Sequence, residues 1–190
     1  VSVFGTYCDD NSASLAYYGN IYHHMQGVHL SHGGHDIVFE NNLIVNGHEN
    51  SKYSVTLHDY GYADEFKSQG MHADLFDRAP TETPLWRSRF PHLYEYSLWE
   101  PGVQAKPHYC VYRNNAIVNH QPLSINFDWD DPDFKNVIEN NVQITGDAGF
   151  VDEQGLDLRL REDSVVYERI PDFLPIPFEK MGLYRDDYRI

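Results

Sequence analysis

The sequence has few cysteines, few basic residues and no long apolar run. Two cysteines stand among 190 residues, and no stretch approaches the roughly 20 apolar residues that a membrane-spanning helix needs. The 14 Lys and Arg face 29 Asp and Glu, for a formal net charge of -15. Nucleic acids and anionic membranes are recognised through Lys/Arg clusters, so this balance excludes both as partners. Cys8 and Cys110 lie far apart, each within an apolar strand-like stretch, and read as buried thiols rather than a disulfide. No helix-period segment of useful length interrupts residues 1–56. No signal peptide or initiating Met opens the sequence, so the expectation is a chain processed or cut from something longer. What is present, 41% hydrophobic and 14% aromatic residues, is enough to build one sizeable core and argues against disorder.

The most informative pattern is a phrase that recurs four times. It reads Tyr18-Gly19-Asn20-Ile21-Tyr22, Phe39-Glu40-Asn41-Asn42-Leu43, Tyr112-Arg113-Asn114-Asn115-Ala116 and Ile138-Glu139-Asn140-Asn141-Val142. In each copy a bulky apolar residue is followed two places later by Asn, as in a short strand that turns at an asparagine. Asn tolerates left-handed backbone angles and bonds its own neighbours, and stacked Asn amides can satisfy one another. The Asn-to-Asn intervals are 21, 73 and 26 residues, the middle one about three intervals of roughly 24, the length of a solenoid coil. The pattern predicts an all-β chain wound as a parallel β-helix.

Residues 1–147 read as coils, with a loop insertion at about 57–107 that carries an aromatic stretch from Leu85-Trp86 to Trp99. Insertions in a solenoid leave one face and commonly shape a binding surface, so this one is expected to wall a cleft. Residues 148–190 hold one strand-like segment and then proline-fixed extended chain, expected to cap or pack along the solenoid and hide an exposed edge.

Strand alternation sorts the side chains. With Thr6 and Cys8 inward, Tyr7 and Asp9 point outward and Asp10 falls at the bend. One coil later the same alternation turns Val28 and Leu30 inward and His29 and Ser31 outward. There follows His32-Gly33-Gly34-His35-Asp36, where two glycines let the backbone turn tightly. Asp9, Asp10 and the histidine-rich turn are thus expected to share one exterior face. Tyr7, His29, His32, His35 and His58 are candidate substrate contacts, and Trp86 and Trp99 candidate platforms for sugar rings; His92 is a further candidate lining residue. His29, His32 and His35 have the count of a zinc site, but alternation separates His29 from the turn, and no metal ligand is assigned. The acidic run Asp128-Trp129-Asp130-Asp131-Pro132-Asp133 has oxygen ligands suited to calcium, yet lacks the Gly and terminal Glu of a calcium loop and reads foremost as a solvated turn.

The segments Gly5-Thr6-Tyr7-Cys8-Asp9-Asp10, Tyr18 to Ile21, Gly27-Val28, Gly33-Gly34 and Glu40-Asn41-Asn42 resemble the core of pectate-lyase-like right-handed β-helix carbohydrate enzymes. They are most similar to the glycoside hydrolases that include β-helix xylanases, α-L-fucosidases and β-xylosidases. The tail Ala148 to Asp152, Leu158 to Leu160, Pro175 to Pro177 and Lys180 to Tyr184 resembles the C-terminal end of such proteins. The resemblance implies that Asp9 is the nucleophile or base and that Asp36, in the Gly-Gly-x-Asp turn, is the acid; repulsion between adjacent Asp9 and Asp10, which raises the pKa of one of them, makes Asp10 the other candidate. Ser31 stands where the β-xylosidase branch has Glu. Glycoside hydrolysis needs two carboxylates, one protonated and one ionised. A polysaccharide lyase and a non-catalytic glycan-binding module are the alternatives. The expected partner is a plant or algal polysaccharide or oligosaccharide, with a further N-terminal portion or partner chain completing the coil stack. The expected setting is secreted or periplasmic.

Overall fold

A computed structural model describes residues 4–9, 11–59, 79–99 and 101–181. The chain is mostly β, and its short strands are dealt in rotation to three parallel sheets. β1 (Phe4–Cys8), β2 (Ala13–Tyr18) and β3 (Ile21–His23) each belong to a different sheet, and β4 (Gly27–His32), β5 (His35–Glu40) and β6 (Leu43–Val45) lie beside them in the same order. β7 (Val55–His58), β8 (Val111–Arg113) and β9 (Ala116–Val118) form a third coil. β10 (Ser124–Ile125), β11 (Val137–Glu139) and β12 (Val142–Ile144) form a fourth, so each sheet has four strands.

β5 pairs directly with β8, Phe39 opposite Tyr112. The 73-residue interval is therefore one coil carrying an insertion between β7 and β8, not three coils. In-register stacking makes like residues recur above one another inside the stack, as the rings of Phe39 and Tyr112 do at a centroid distance of 6.1 Å, and Tyr22 from the third sheet stacks on Phe39 at 5.8 Å. Ile37, Phe39 and Ile44 are fully buried, each contributing about 1.5–3 kcal/mol of apolar burial.

The asparagine phrase closes the bend between the second and third sheets, in two adjacent columns. Gly19, Asn41, Asn114 and Asn140 take the left-handed backbone, with φ of 65°, 56°, 54° and 52°. The residues after them form the hydrogen-bonded ladder. Asn20 Nδ2 donates to Asn42 Oδ1 at 3.0 Å, Asn42 Nδ2 to Asn115 Oδ1 at 2.9 Å and Asn115 Nδ2 to Asn141 Oδ1 at 2.7 Å. Asn20 thus stacks on Asn42, 22 residues on, rather than on Asn41. A second left-handed column, Ser14, Asp36, Tyr109 and Lys135, runs along the start of the second sheet.

The insertion departs from the all-β expectation by forming short helices, α1 (Pro84–Arg89), α2 (Pro91–Ser97) and α3 (Pro101–Gln104). Each begins with proline, whose fixed φ and missing N–H suit a first helical turn. α2 docks on the left-handed column through positions on one helix face. His92 reaches Asp36, and Glu95 accepts from the Tyr109 hydroxyl and pairs with Lys135 Nζ at 3.2 Å. Tyr96, one turn from His92, is buried against His35.

After β12 the antiparallel pair β13 (Phe150–Asp152) and β14 (Asp157–Leu160) leads into α4 (Val165–Arg169), N-capped by Ser164, and later a 3-10 turn over Phe178–Lys180. Phe150, Leu158, Val166, Ile170 and Phe173 pack on Leu43, Val45, Ala116, Val118 and Ile144. Up to residue 181 the tail therefore covers the outer face of the third sheet; Asn41 pins it by donating to Leu174 O and accepting from Leu174 N.

Candidate functional site

The candidate residues gather on the two sides of one corner, where the first sheet passes to the second. Gly33 and Gly34 make that corner with φ of 70° and 89°; a Cβ on Gly33 would lie 1.9 Å from Asn11 Oδ1, and one on Gly34 2.2 Å from Ser12 O. At Gly34 backbone blocks any side chain, and at Gly33 a side chain would displace Asn11.

On the first side, Cys8, Ser31 and Leu57 are in register and face inward, so the residues after them face out. Asp9, His32 and His58 form this outward column, continued by Asn126. His32 Nδ1 lies 3.2 Å from Asp9 Oδ1, and the His32 and His58 rings meet edge-on at 6.4 Å. Asn126 Nδ2 lies 2.5 Å from His58 Nδ1, and with the amide donating, the ring proton sits on Nε2. Burial, then the neighbouring His32, push the His58 imidazole below its ordinary range, so it stays neutral at neutral pH. His58 also borders a cleft of about 320 Å³ whose walls include Phe4, Leu30, Lys52 and Tyr53. Tyr7 is 53% exposed, on the same outer face beside Phe4.

On the second side, a cleft of about 500 Å³ opens between Ser14 and Asp36 of the left-handed column and the residues from Trp86 to Leu93 in α1 and the start of α2. Asp36 lines it, with His35 Nδ1 at 2.7 Å from Oδ2 and His92 Nδ1 at 2.5 Å from Oδ1. Burial raises the Asp36 pKa, but hydrogen bonds and charge from the two imidazoles outweigh it and hold the carboxyl below its ordinary range. Asp36 is therefore ionised at neutral pH and unsuited to the protonated-acid role that the resemblance implied. Trp86, Phe90 and Arg89 wall the cleft, and Ser14 lies on its edge.

The expected single face is thus divided. Asp9, His32 and His58 stand together; Asp36, His35 and Trp86 stand together on the other side; Asp10 lies outside the described residues. His29 belongs to neither group. It is opposite Thr6 and shares its inward face, 0% exposed, with Nδ1 2.7 Å from Thr6 Oγ1 and Nε2 3.2 Å from the Tyr112 hydroxyl. Its assignment as an outward sugar contact is overturned, as is the outward placement of Ser31, because inter-strand register puts Leu30 opposite Tyr7 instead. Trp99 packs on His108 at 4.2 Å and stacks on Tyr109, anchoring the insertion rather than lining either cleft. The Asp128–Asp133 run is a turn in which Asp131 accepts from Asp133 N, and no group of three or more metal-ligating side chains converges among the described residues.

Sequence reasoning passed over Asn126, Arg89 and Ser14. Asn126 and Ser14 occupy equivalent coil positions to His58 and Asp36, a signal visible only once the register is known. No family model, no curated protein and no solved structure matches the chain.

Proposed function

We propose that the chain is a right-handed parallel β-helix carbohydrate-active enzyme, a glycoside hydrolase acting on a polysaccharide or oligosaccharide. The observation that carries this reading is the outward column of Asp9, just past β1, with His32 and His58 on the next two strands, His58 bordering a cleft. A flat parallel face presents groups about 4.8 Å apart along the stack, a spacing on which an extended glycan can lie across several coils. In this reading the Asp9 carboxylate is nucleophile or base, Asp10 is the second carboxylate, and His32, 3.2 Å from Asp9 Oδ1, exchanges a proton with it. Phe4 and Tyr53 offer ring faces to sugar C–H groups.

One observation favours the lyase alternative. Lys52 borders the same cleft as His58, so a cation and a neutral imidazole are both at hand for a uronate. A panel of plant and algal polysaccharides and aryl glycosides, run with wild type and Asp9→Asn, tests the proposal. New reducing ends, lost in Asp9→Asn with the fold retained, are the expected result. Unsaturated, ultraviolet-absorbing ends would shift the assignment to a lyase. Glycan binding without cleavage, equal in both proteins, would make the chain a binding module and sink the enzyme reading.

A further inference from the structure

The second cleft holds more than a loop anchor. Ser14 and Asp36 occupy equivalent positions on paired strands, since Ala13 is opposite His35 and Leu15 opposite Ile37. Both belong to the left-handed column that turns each coil into the second sheet, with φ of 57° and 54°, so their side chains leave the same bend one coil apart. Ser14 is exposed and lines the cleft with His92 and Asp36, and its hydroxyl has no hydrogen-bond partner among the described residues. The His92 imidazole is held on two sides. Its Nδ1 is 2.5 Å from Asp36 Oδ1, and its ring lies flat on Tyr109 at 3.8 Å and 2°. With Nδ1–H donated to the carboxylate, the basic lone pair of a neutral ring is on Nε2, which has no partner among the described residues.

We propose that Ser14, His92 and Asp36 form an acyl-transfer centre that hydrolyses short-chain esters of alcohols. The parts match what ester hydrolysis requires: an exposed hydroxyl with no hydrogen-bond partner among the described residues, an imidazole whose far nitrogen likewise has none, and a carboxylate fixing the tautomer from the near side. The Ser14 hydroxyl oxygen attacks the ester carbonyl carbon while His92 Nε2 takes its proton. As the carbon–oxygen bond to the alcohol breaks, His92 returns that proton to the leaving oxygen. Water then attacks the acyl carbon as His92 Nε2 takes its proton, and His92 gives that proton to the Ser14 oxygen as the acyl–oxygen bond breaks, releasing the acid and restoring the serine hydroxyl. Arg89 lines the same cleft and carries the positive charge that an oxyanion needs, while Trp86 and Phe90, 5.3 Å apart, form an apolar wall for the ester. Ser14 and His92 are not hydrogen-bonded to each other; such bonds commonly tighten only with substrate in place.

The centre is independent of the glycosidic reading, because Asp9 and its column lie across the corner. Its test is treatment of the full chain with a serine-directed fluorophosphonate, followed by mass-spectrometric location of the adduct, together with hydrolysis of 4-nitrophenyl acetate. Expected are an adduct on Ser14 and a fall in esterolysis of at least about 100-fold in Ser14→Ala. His92→Ala also removes an anchor of α2, so Ser14→Ala, whose hydroxyl has no hydrogen-bond partner among the described residues, decides. No adduct, an adduct elsewhere, or equal esterolysis in Ser14→Ala overturns the proposal, whatever the glycan panel shows.

Discussion

His29 lies inside the first sheet, and burial drives its imidazole down to about 3. A histidine held neutral in the fold but free to protonate when unfolded makes stability depend on pH. Between its unfolded value of 6.5 and its folded value the unfolded state binds more protons, so stability is present above pH 6.5 and is lost as pH falls towards 3. From pH 7 to pH 5 the loss from His29 is on the order of 2 kcal/mol. His108, pushed by burial to about 4, acts in the same direction. Urea denaturation at the two pH values should therefore give a lower midpoint at pH 5; equal midpoints would mean that His29 is hydrated in solution. Asp36 has the same sign for the ordinary reason of a carboxylate held low: its contribution is present at neutral pH and fades only below its usual value of 3.8. At this scale the sequence was a partial guide. The outward direction of Asp9 followed from alternation within one strand, whereas His29 was misplaced because its direction depends on which residue of β1 it stands opposite.

The asparagine ladder and the docked helix are held by polar groups that satisfy one another. Asn115 accepts from Asn42 N and Nδ2, and its own Nδ2 donates to Phe39 O and Asn141 Oδ1. Asn115→Ala leaves buried partners unmatched on both sides and should cost about 2–4 kcal/mol. Asn20→Ala, at the ladder's end and only partly buried, should cost about 1 kcal/mol. Chemical denaturation of the two variants checks the ordering, and equal losses would show that the ladder does not act through burial. The recurring phrase was legible because the turn and the amide chemistry both demand Asn there. Its alignment was off by one place, since in Asn41-Asn42 two identical residues do different jobs. Gly19-Asn20 carries the clue: glycine takes the left-handed position and leaves asparagine to the ladder. The helices of the insertion were not legible, because Pro91 to Ser97 has no apolar stripe; its docking face is His92, Glu95 and Tyr96, whose partners lie on three different coils.

Across the whole molecule the stack is a set of coils, each resting on its neighbours, with the tail laid along the third sheet and the insertion against the second. Cys8 and Cys110, in the first and third coils, are 1% and 0% exposed, and burial raises both thiols, Cys110 to about 12. Both should resist a thiol-reactive dye in the native protein and react together when the stack opens. Reaction of Cys8 well before Cys110 would show that the first coil frays on its own. By itself the sequence determined the β-rich class, the bends at asparagine, the glycine corner, the buried thiols and the outward Asp9, because these follow from period-two alternation and local backbone preference. Only the tertiary structure decided the register that buries His29, the adjacency of β5 and β8 across the insertion, and the division of the candidate residues between two clefts. Those depend on which strands meet, and inter-strand pairing joins residues as far apart as Asn42 and Asn115, whose separation of 73 leaves no local trace.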